Sequence, residues 1–434
     1  MPSVERGSVD GEPPGQRAPE WRTTRRRLLT RAAGAALALS SADLLAACSN
    51  TTTPPGGSSP NRGPGGLELG RPDNPVALPI YRDNRAIASG LEPEAGPLQV
   101  YNWAEYLNPQ VIKGFEAKYG VDVQLSTFST MDEAIAKLSS TAVQFDVFVP
   151  TLPFISLLVA GKIIQPINHS YISNLRRNVW RSLANPWYDV GARYSVPYTV
   201  YTTGIGWRND KLPDFHPERL ANPYDFFWQS QNISGRVGLL DDEREALSMA
   251  LLRNGITDVN TDDPSHVQAA ENALVQLVNT VNLKFTTNDY QHLADASIWL
   301  HQSWSGDIAG IAYYLPKGTS PSQISYWWPR DGRGLIDNDT LTVLNGAKNP
   351  VLAHLFLDYI LDLEVALENF SYTVYQQPLT GFTPQKVLDA GLVPSNLTDT
   401  ILREDQFRHG YVEAALSELG LSEWETAWAR VKST

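Results

Sequence analysis

Two acids three residues apart, Asp242 and Glu245, open a segment of helical pattern in a chain of 434 residues. A carboxylate pair at that spacing can meet a cation or take part in acid–base work. The same Asp-x-x-Glu is also a helix-capping pattern, because acids at a helix start accept from free backbone N–H groups and match its dipole. On the residues alone both readings stand. Trp103 and Tyr106 follow a strand pattern, and the polar neighbours Asn102 and Glu105 point to a rim. The chain holds 12 Trp, a stock of flat polarisable surface beyond what core filling explains. Other chemistries are missing. There is no G-x-S-x-G nucleophile elbow, no P-loop and no G-x-G-x-x-G. The seven His contain no HxxxH or HxH pair. One Cys excludes an intrachain disulfide, a Cys-rich zinc site and an iron–sulfur cluster. The net charge of -12 argues against a nucleic-acid partner, which needs a basic footprint. Acids amid aromatics also describe glycoside hydrolases, with two carboxyls about 5–10 Å apart around a sugar.

The one Cys has a specific setting. Thr24-Arg25-Arg26-Arg27-Leu28-Leu29 matches a twin-arginine export signal. The apolar run Ala32–Ala47 is too short for a permanent span. It ends in Leu45-Ala46-Ala47-Cys48, which resembles a bacterial lipobox. Residues 1–47 then read as a signal peptide, and Cys48 as a lipidated first residue anchoring the protein to the outer face of the cytoplasmic membrane. Loss of residues 1–47 removes seven Arg and five acids, taking the net charge to -14. Residues 48–75 are rich in Pro, Gly, Ser and Thr and read as a flexible tether. Residues 76–97 read as an extended segment on the folded body.

From residue 98 the elements alternate. Leu98–Trp103 is a strand pattern, and Asn108-Pro109 opens a helix ending at Gly120. Val121–Phe128 is the next strand. Thr130-x-x-Glu133 is a capping box before a second helix. Phe145–Pro150 is a third strand, followed by an apolar helix over Ile155–Ile163. A second set comprises strands at Arg236–Leu240, Ile308–Tyr314, Ile324–Trp328 and Thr340–Leu344, with helices over 241–253, 266–282 and 350–360. This alternation predicts α/β layers with helices on both sheet faces.

Asn102-Trp103-Ala104-Glu105-Tyr106, FDVFVP (145–150), YSVPYTVYTTGIGWRND (194–210), GRVGLLDDEREALSMAL (235–251) and WSGD (304–307) occur in an order that resembles the extracytoplasmic spermidine/putrescine-binding proteins, receptors of polyamine ABC importers. The resemblance covers about residues 97–380. It implies a two-lobed, periplasmic-binding-protein-like α/β fold of type II that closes on a ligand between lobes. Lobe 1 would be 98–200 plus 345–380, and lobe 2 would be 201–344. Residues 381–434 would be helices packing across both. Crossovers are implied near Tyr198–Gly206 and Thr340–Leu344.

The resemblance also implies the site. Trp103, Tyr106 and Trp304 would wall the cleft, with Glu105 on its rim. Asp242 and Glu245, Asp307 in WSGD, and Asp339 before the return strand would meet ammonium groups. Tyr375 aligns with a cleft tyrosine. A polyamine suits such a set: aromatic faces attract cations by about 0.5–2 kcal/mol each, and charge-assisted hydrogen bonds add about 1.5–3 kcal/mol. The chain departs from the family pattern twice. Thr151-Leu152-Pro153-Phe154 replaces a Ser-Thr-Tyr-Tyr type segment, and Asp337 stands where an aromatic is usual, so that one wall is lost and a ligand-binding acid gained. The implied protein is a binding protein and not an enzyme, with no cofactor and no metal. It would act as a monomer and deliver a polyamine or related cationic amine to an ABC permease. The alternatives are a sugar or other cationic-amine receptor of the same fold, then a secreted glycoside hydrolase.

Overall fold

In a computed structural model, which describes residues 62–139 and 144–434, strand–helix units alternate as the pattern demands. The twin-arginine leader and Cys48 lie outside the described residues. The described residues belong to one compact unit. Strand β1 (Leu98–Trp103) lies parallel to β2 (Val123–Phe128), with Leu98 opposite Val123. The helix Pro109–Tyr119 between them is fixed at both ends by its sequence. The Asn108 side chain accepts from Gln110 N, Pro109 occupies the first turn, and Gly120 closes it at φ 69°. Helix Met131–Ser139 opens on Thr130 Oγ1, which accepts from Glu133 N at 3.2 Å. Then come β3 (Val147–Phe148) and β4 (Ile164–Gln165).

Strand β5 (Val196–Arg208) runs for thirteen residues, all buried but the half-buried Tyr201. Such a continuous run is covered on both faces. After β5 come β6 (Val237–Leu239), β7 (Leu283–Phe285), β8 (Leu300–Trp304), β9 (Ile324–Trp327), β10 (Leu335–Leu344) and β11 (Tyr411–Val412). The sheet order is β2-β1-β3-β10-β5-β8-β6-β7, with β4 and β11 also on β10 and β9 on β5. The long strands β5 and β10 are antiparallel neighbours at its centre. Thr342 and Val343 of β10 pair with β3, while Leu335–Asp339 pair with β5. The other half of β5, from Thr203, pairs with β8 and β9. Two strands therefore join the β1–β3 half to the β6–β8 half, and the fold is the two-lobed α/β type II fold.

Three local expectations change. The return strand begins at Leu335, not Thr340, so Asp337 and Asp339 lie inside it. Asp and Asn disfavour strands in isolation, but backbone pairing to β5 overrides that preference. The strand expected over Ile308–Tyr314 is the helix Ser305–Ala309 followed by a 3-10 turn at Ile311–Tyr313. A short apolar run does not distinguish a buried helix from a strand. The tether expected through residue 75 is packed from Arg62 onward: Leu69 is buried, and Arg71 Nη2 donates to Ala415 O at 3.0 Å.

One apolar core, around Leu98, Phe115, Phe148 and Phe356, sits under β1–β3 and continues through Ile308, Ile336, Leu379 and Phe407. A second, around Leu239, Leu247, Leu274 and Trp424, is closed by helices Glu243–Arg253, Pro264–Thr280 and Glu418–Ser433. Residues beyond 381 thus contribute to both cores. No helix among the described residues is long and apolar enough to cross a membrane.

Candidate functional site

The strand period of two sets the first layer. Thr199, Tyr201 and Thr203 share one face of β5. Across the ladder, Asp339 opposes Thr199 and Asp337 opposes Tyr201. The register shifts between Asp339 and Thr340, a bulge of the kind that re-aims a side chain. Asp339 is buried and its Oδ2 accepts from the Tyr106 hydroxyl at 2.6 Å and from Thr199 Oγ1 at 3.1 Å. Its Oδ1 is buried with no donor. Burial pushes the Asp339 carboxyl up to about 6, against the pull of those two hydroxyls.

The second layer comes from helix Glu243–Arg253. Asp242 caps it, its Oδ1 accepting from Arg244 N at 2.9 Å and Glu245 N at 3.1 Å. The capping reading therefore describes Asp242, and the cap aims Glu245 inward. Glu245 Oε1 accepts from Thr203 Oγ1 at 2.9 Å and from the Trp304 indole N–H. Its Oε2 is buried with no donor. The Asp337 carboxyl stands against the Glu245 carboxyl, within reach for a shared proton. Burial, then the nearby Glu413 and Asp242 charges, push Glu245 up to about 8. Asp337 rises well above the usual carboxylate range through burial and the Glu245 charge.

A second carboxyl pair forms at helix Ser305–Ala309. Asp307 lies against Asp289, which is fully buried. Burial first, and then Asp307, hold Asp289 well above its ordinary value. The Tyr375 hydroxyl donates to Asp307 Oδ1 at 3.1 Å. Its ring lies over Gly306, where a Cβ would come within 2.8 Å of ring carbons, so glycine is required in WSGD.

Aromatic rings connect the two pairs. Tyr201 meets Tyr375 edge-on at 5.2 Å between centroids and Trp304 at 6.5 Å. Tyr106 meets Tyr375 at 5.3 Å. The fold thus gathers Tyr106, Glu245, Trp304, Asp307, Asp337, Asp339 and Tyr375 around β5. Trp103 instead packs its ring on Phe128 at 4.5 Å, and its buried indole N–H has no acceptor. Glu105 sits in a left-handed turn after β1, φ 58°. Leu152-Pro153-Phe154 forms a 3-10 turn next to the Thr151–Asp339 bridge.

Sequence reasoning missed Tyr201, Thr199, Asp289 and Glu413. The alternation Thr199-Tyr201-Thr203 was the available signal for β5. Asp289 carries no local signal, since only the fold brings it to Asp307. No ion pair among the described residues reaches Asp242, Glu245, Asp289, Asp337, Asp339 or Glu413. No group of three or more acids, His or Cys among the described residues has the arrangement of a metal cage. Buried carboxyls without cations either hold protons or await a positive partner.

Residues 110–388 match the model of the family described as bacterial extracellular solute-binding protein. A putrescine/cadaverine-binding protein of Pseudomonas aeruginosa is 28% identical over 277 residues, 62% of this chain and 75% of that one. A spermidine/putrescine-binding periplasmic protein of Escherichia coli is 28% identical over 282 residues, 65% of this chain and 77% of that one. In fold, the chain is similar to a spermidine/putrescine ABC transporter substrate-binding protein of Streptococcus pneumoniae. The TM-score is 0.65 at 20% identity, over 77% of this chain and 98% of that one.

Proposed function

Because this chain belongs to the bacterial extracellular solute-binding protein family, we propose that it captures a polyamine between its lobes and hands it to an ABC importer. One observation carries the choice of ligand. Two carboxyl pairs, each with one buried member (Glu245, Asp289) and one half-buried member (Asp337, Asp307), are joined by the aromatic path Trp304–Tyr201–Tyr375. An amine with a charged nitrogen at each end and methylenes between has the complementary pattern. Its ammonium groups replace the protons that the carboxyls otherwise need, and the rings cover the methylenes. Asp339 and Tyr106 add a third polar station beside the path. A neutral sugar carries no charge to replace those protons and gains no charge-assisted hydrogen bond from the carboxyls.

Residues on both lobes contact the ligand in this reading, so binding favours the closed state. No bond is made or broken. Relatives whose names refer to putrescine, cadaverine and spermidine support the same class. Calorimetry of the mature chain with putrescine, cadaverine, spermidine and spermine tests it, with maltose and glucose as controls. Heat with a sugar and none with any amine would end the polyamine reading.

The same proposal includes export by the twin-arginine leader and attachment through lipid on Cys48, as a monomer outside the cytoplasmic membrane. Cys48→Ser should release the protein from membranes. Retention on membranes would refute the anchor.

A further inference from the structure

We propose that residues 62–97, which precede the residues that match the family, are a strap that latches the two lobes together through Arg71 and so slows release of the bound solute. This inference rests on the polyamine reading above for its probe.

The strap is fixed to the lobe of β1–β3 along most of its length. Glu94 accepts from Val351 N at 3.1 Å and Leu352 N at 3.0 Å, at the start of helix Pro350–Ile360. Asn84 Nδ2 donates to Ile164 O of β4 at 2.8 Å. Leu78 is buried in the core under β1–β3, and Val76 N donates to Trp187 O at 2.8 Å. At Gly70 a Cβ would come within 2.9 Å of Tyr188 Cα and 3.1 Å of Trp187 O, so glycine permits the close approach. Arg71 then reaches the lobe of β6–β8. Its Nη2 donates to Ala415 O at 3.0 Å and Asn260 O at 3.5 Å. Both acceptors are firmly held. Asn260 Nδ2 donates to Val412 O at 2.8 Å, Asn260 Oδ1 accepts from Ala414 N at 2.7 Å, and Leu416 is buried in the second core. Arg244, the neighbour of Glu245, grips the same turn by donating to Ala414 O at 3.1 Å.

The latch lies in the seam between the lobes. Leu69 and Arg71 share a cavity with Leu152 and Ile155 of the first lobe and with Ala414 and Ala415 of the second. That seam borders the cleft. Leu152 follows Thr151, which bridges Asp339, and Ala414 follows Glu413, whose charge acts on Glu245. Opening the cleft bends the connecting strands β5 and β10 and parts the seam, while the strap stays with the first lobe. A guanidinium shared by both lobes only when they meet stabilises the closed state alone and shifts the equilibrium toward it. Asp258 and Asp262 lie near enough to favour the Arg71 charge at that place.

Stopped-flow fluorescence with putrescine, and small-angle X-ray scattering without it, test the latch in the mature wild-type chain, Arg71→Lys and Arg71→Met. Trp304, bonded to Glu245, supplies the fluorescence signal. Arg71→Met should release putrescine about tenfold faster, the equivalent of one charge-assisted hydrogen bond. Its association rate should stay within about twofold of the wild type. Arg71→Lys keeps the charge and one donor group and should fall between the two. The ligand-free radius of gyration should be larger in Arg71→Met than in the wild type. A variant that only melts at a lower temperature, with release rate and radius unchanged, overturns the latch. A wild-type measurement covers variants that fail to fold. The Arg71 and Asn74 amides, each bonded to the other's carbonyl, should exchange at least about threefold more slowly with putrescine bound. No slowing also overturns the latch. If the wild type binds no amine, the polyamine reading falls, and the scattering of the ligand-free chains still decides the latch.

Discussion

The Tyr106 hydroxyl donates to Asp339 Oδ2 over 2.6 Å, although the two residues are 233 positions apart. That bond ties the loop after β1 to the bulge in β10. It places one partner on the first lobe and the other on a strand joining both lobes. Thr199 Oγ1, 2.7 Å from the same hydroxyl, closes a three-membered polar group with Asp339.

Tyr106→Phe removes the donor and leaves a buried carboxylate with Thr199 alone. Stability should fall by about 1–3 kcal/mol, read by urea denaturation. The Asp339 carboxyl should also rise above about 6, because the hydroxyl holds it down. Affinity at pH 6 should therefore drop more than affinity at pH 8. An equal drop at both pH values would mean that the hydroxyl does not tune Asp339.

Ligand-free stability should decrease from pH 5 to pH 8. The carboxyls of Asp339, Glu243 and Glu245 sit at about 6, 7 and 8 in the folded chain, all raised chiefly by burial. The folded state therefore binds more protons than the unfolded one between the ordinary carboxylate range and pH 8. Stability from these groups is complete below that range and is lost as pH rises through their folded values. Thermal melts of the amine-free protein across this window check the sign. A Tm that climbs toward pH 8 would contradict it.

Binding should release protons. An ammonium placed at Glu245 and Asp337 substitutes for the proton they share, so at pH 7 association expels hydrogen ions. Titrations of putrescine in two buffers with different ionisation enthalpies should give different heats, and affinity should grow from pH 6 to pH 9. Identical heats in both buffers would show that the carboxyls are already ionised in the empty cleft.

Glu245→Gln separates ligand binding from stability. The amide keeps an acceptor for Thr203 and Trp304 but carries no charge to bury. The ligand-free variant should melt at or above the wild-type temperature, most clearly at pH 8. Affinity for the preferred amine should fall by about 10- to 100-fold, the equivalent of one charge-assisted hydrogen bond. A variant that binds normally would displace Glu245 from the ammonium site.

Much of this protein is written locally. The Asn108-Pro109 start, the Gly120 stop and the Thr130–Glu133 box act within a few residues, so their helices follow from the sequence. Tyr106, Glu245, Trp304 and Asp307 lie in the ordered motifs, and Asp337, Asp339 and Tyr375 follow only from the family resemblance. What those motifs left open was which acid faces which. Asp242 and Glu245 form one pattern, yet only backbone geometry makes the first a cap and turns the second into the cleft. Asp337 read as a lost aromatic wall. It becomes half of a carboxyl pair because β10 begins five residues earlier than its apolar pattern and sets Asp337 opposite Tyr201. Asp289 and Glu413 have no sequence neighbour in the site. Asp289 is brought in beside β8, and Glu413 by a two-residue strand against β10. Local propensity and capping act over a turn or two, whereas the pairing of buried charges is decided by long-range strand register and burial. The sequence by itself therefore determined the residue types and the helices, and the tertiary structure alone decided the partners.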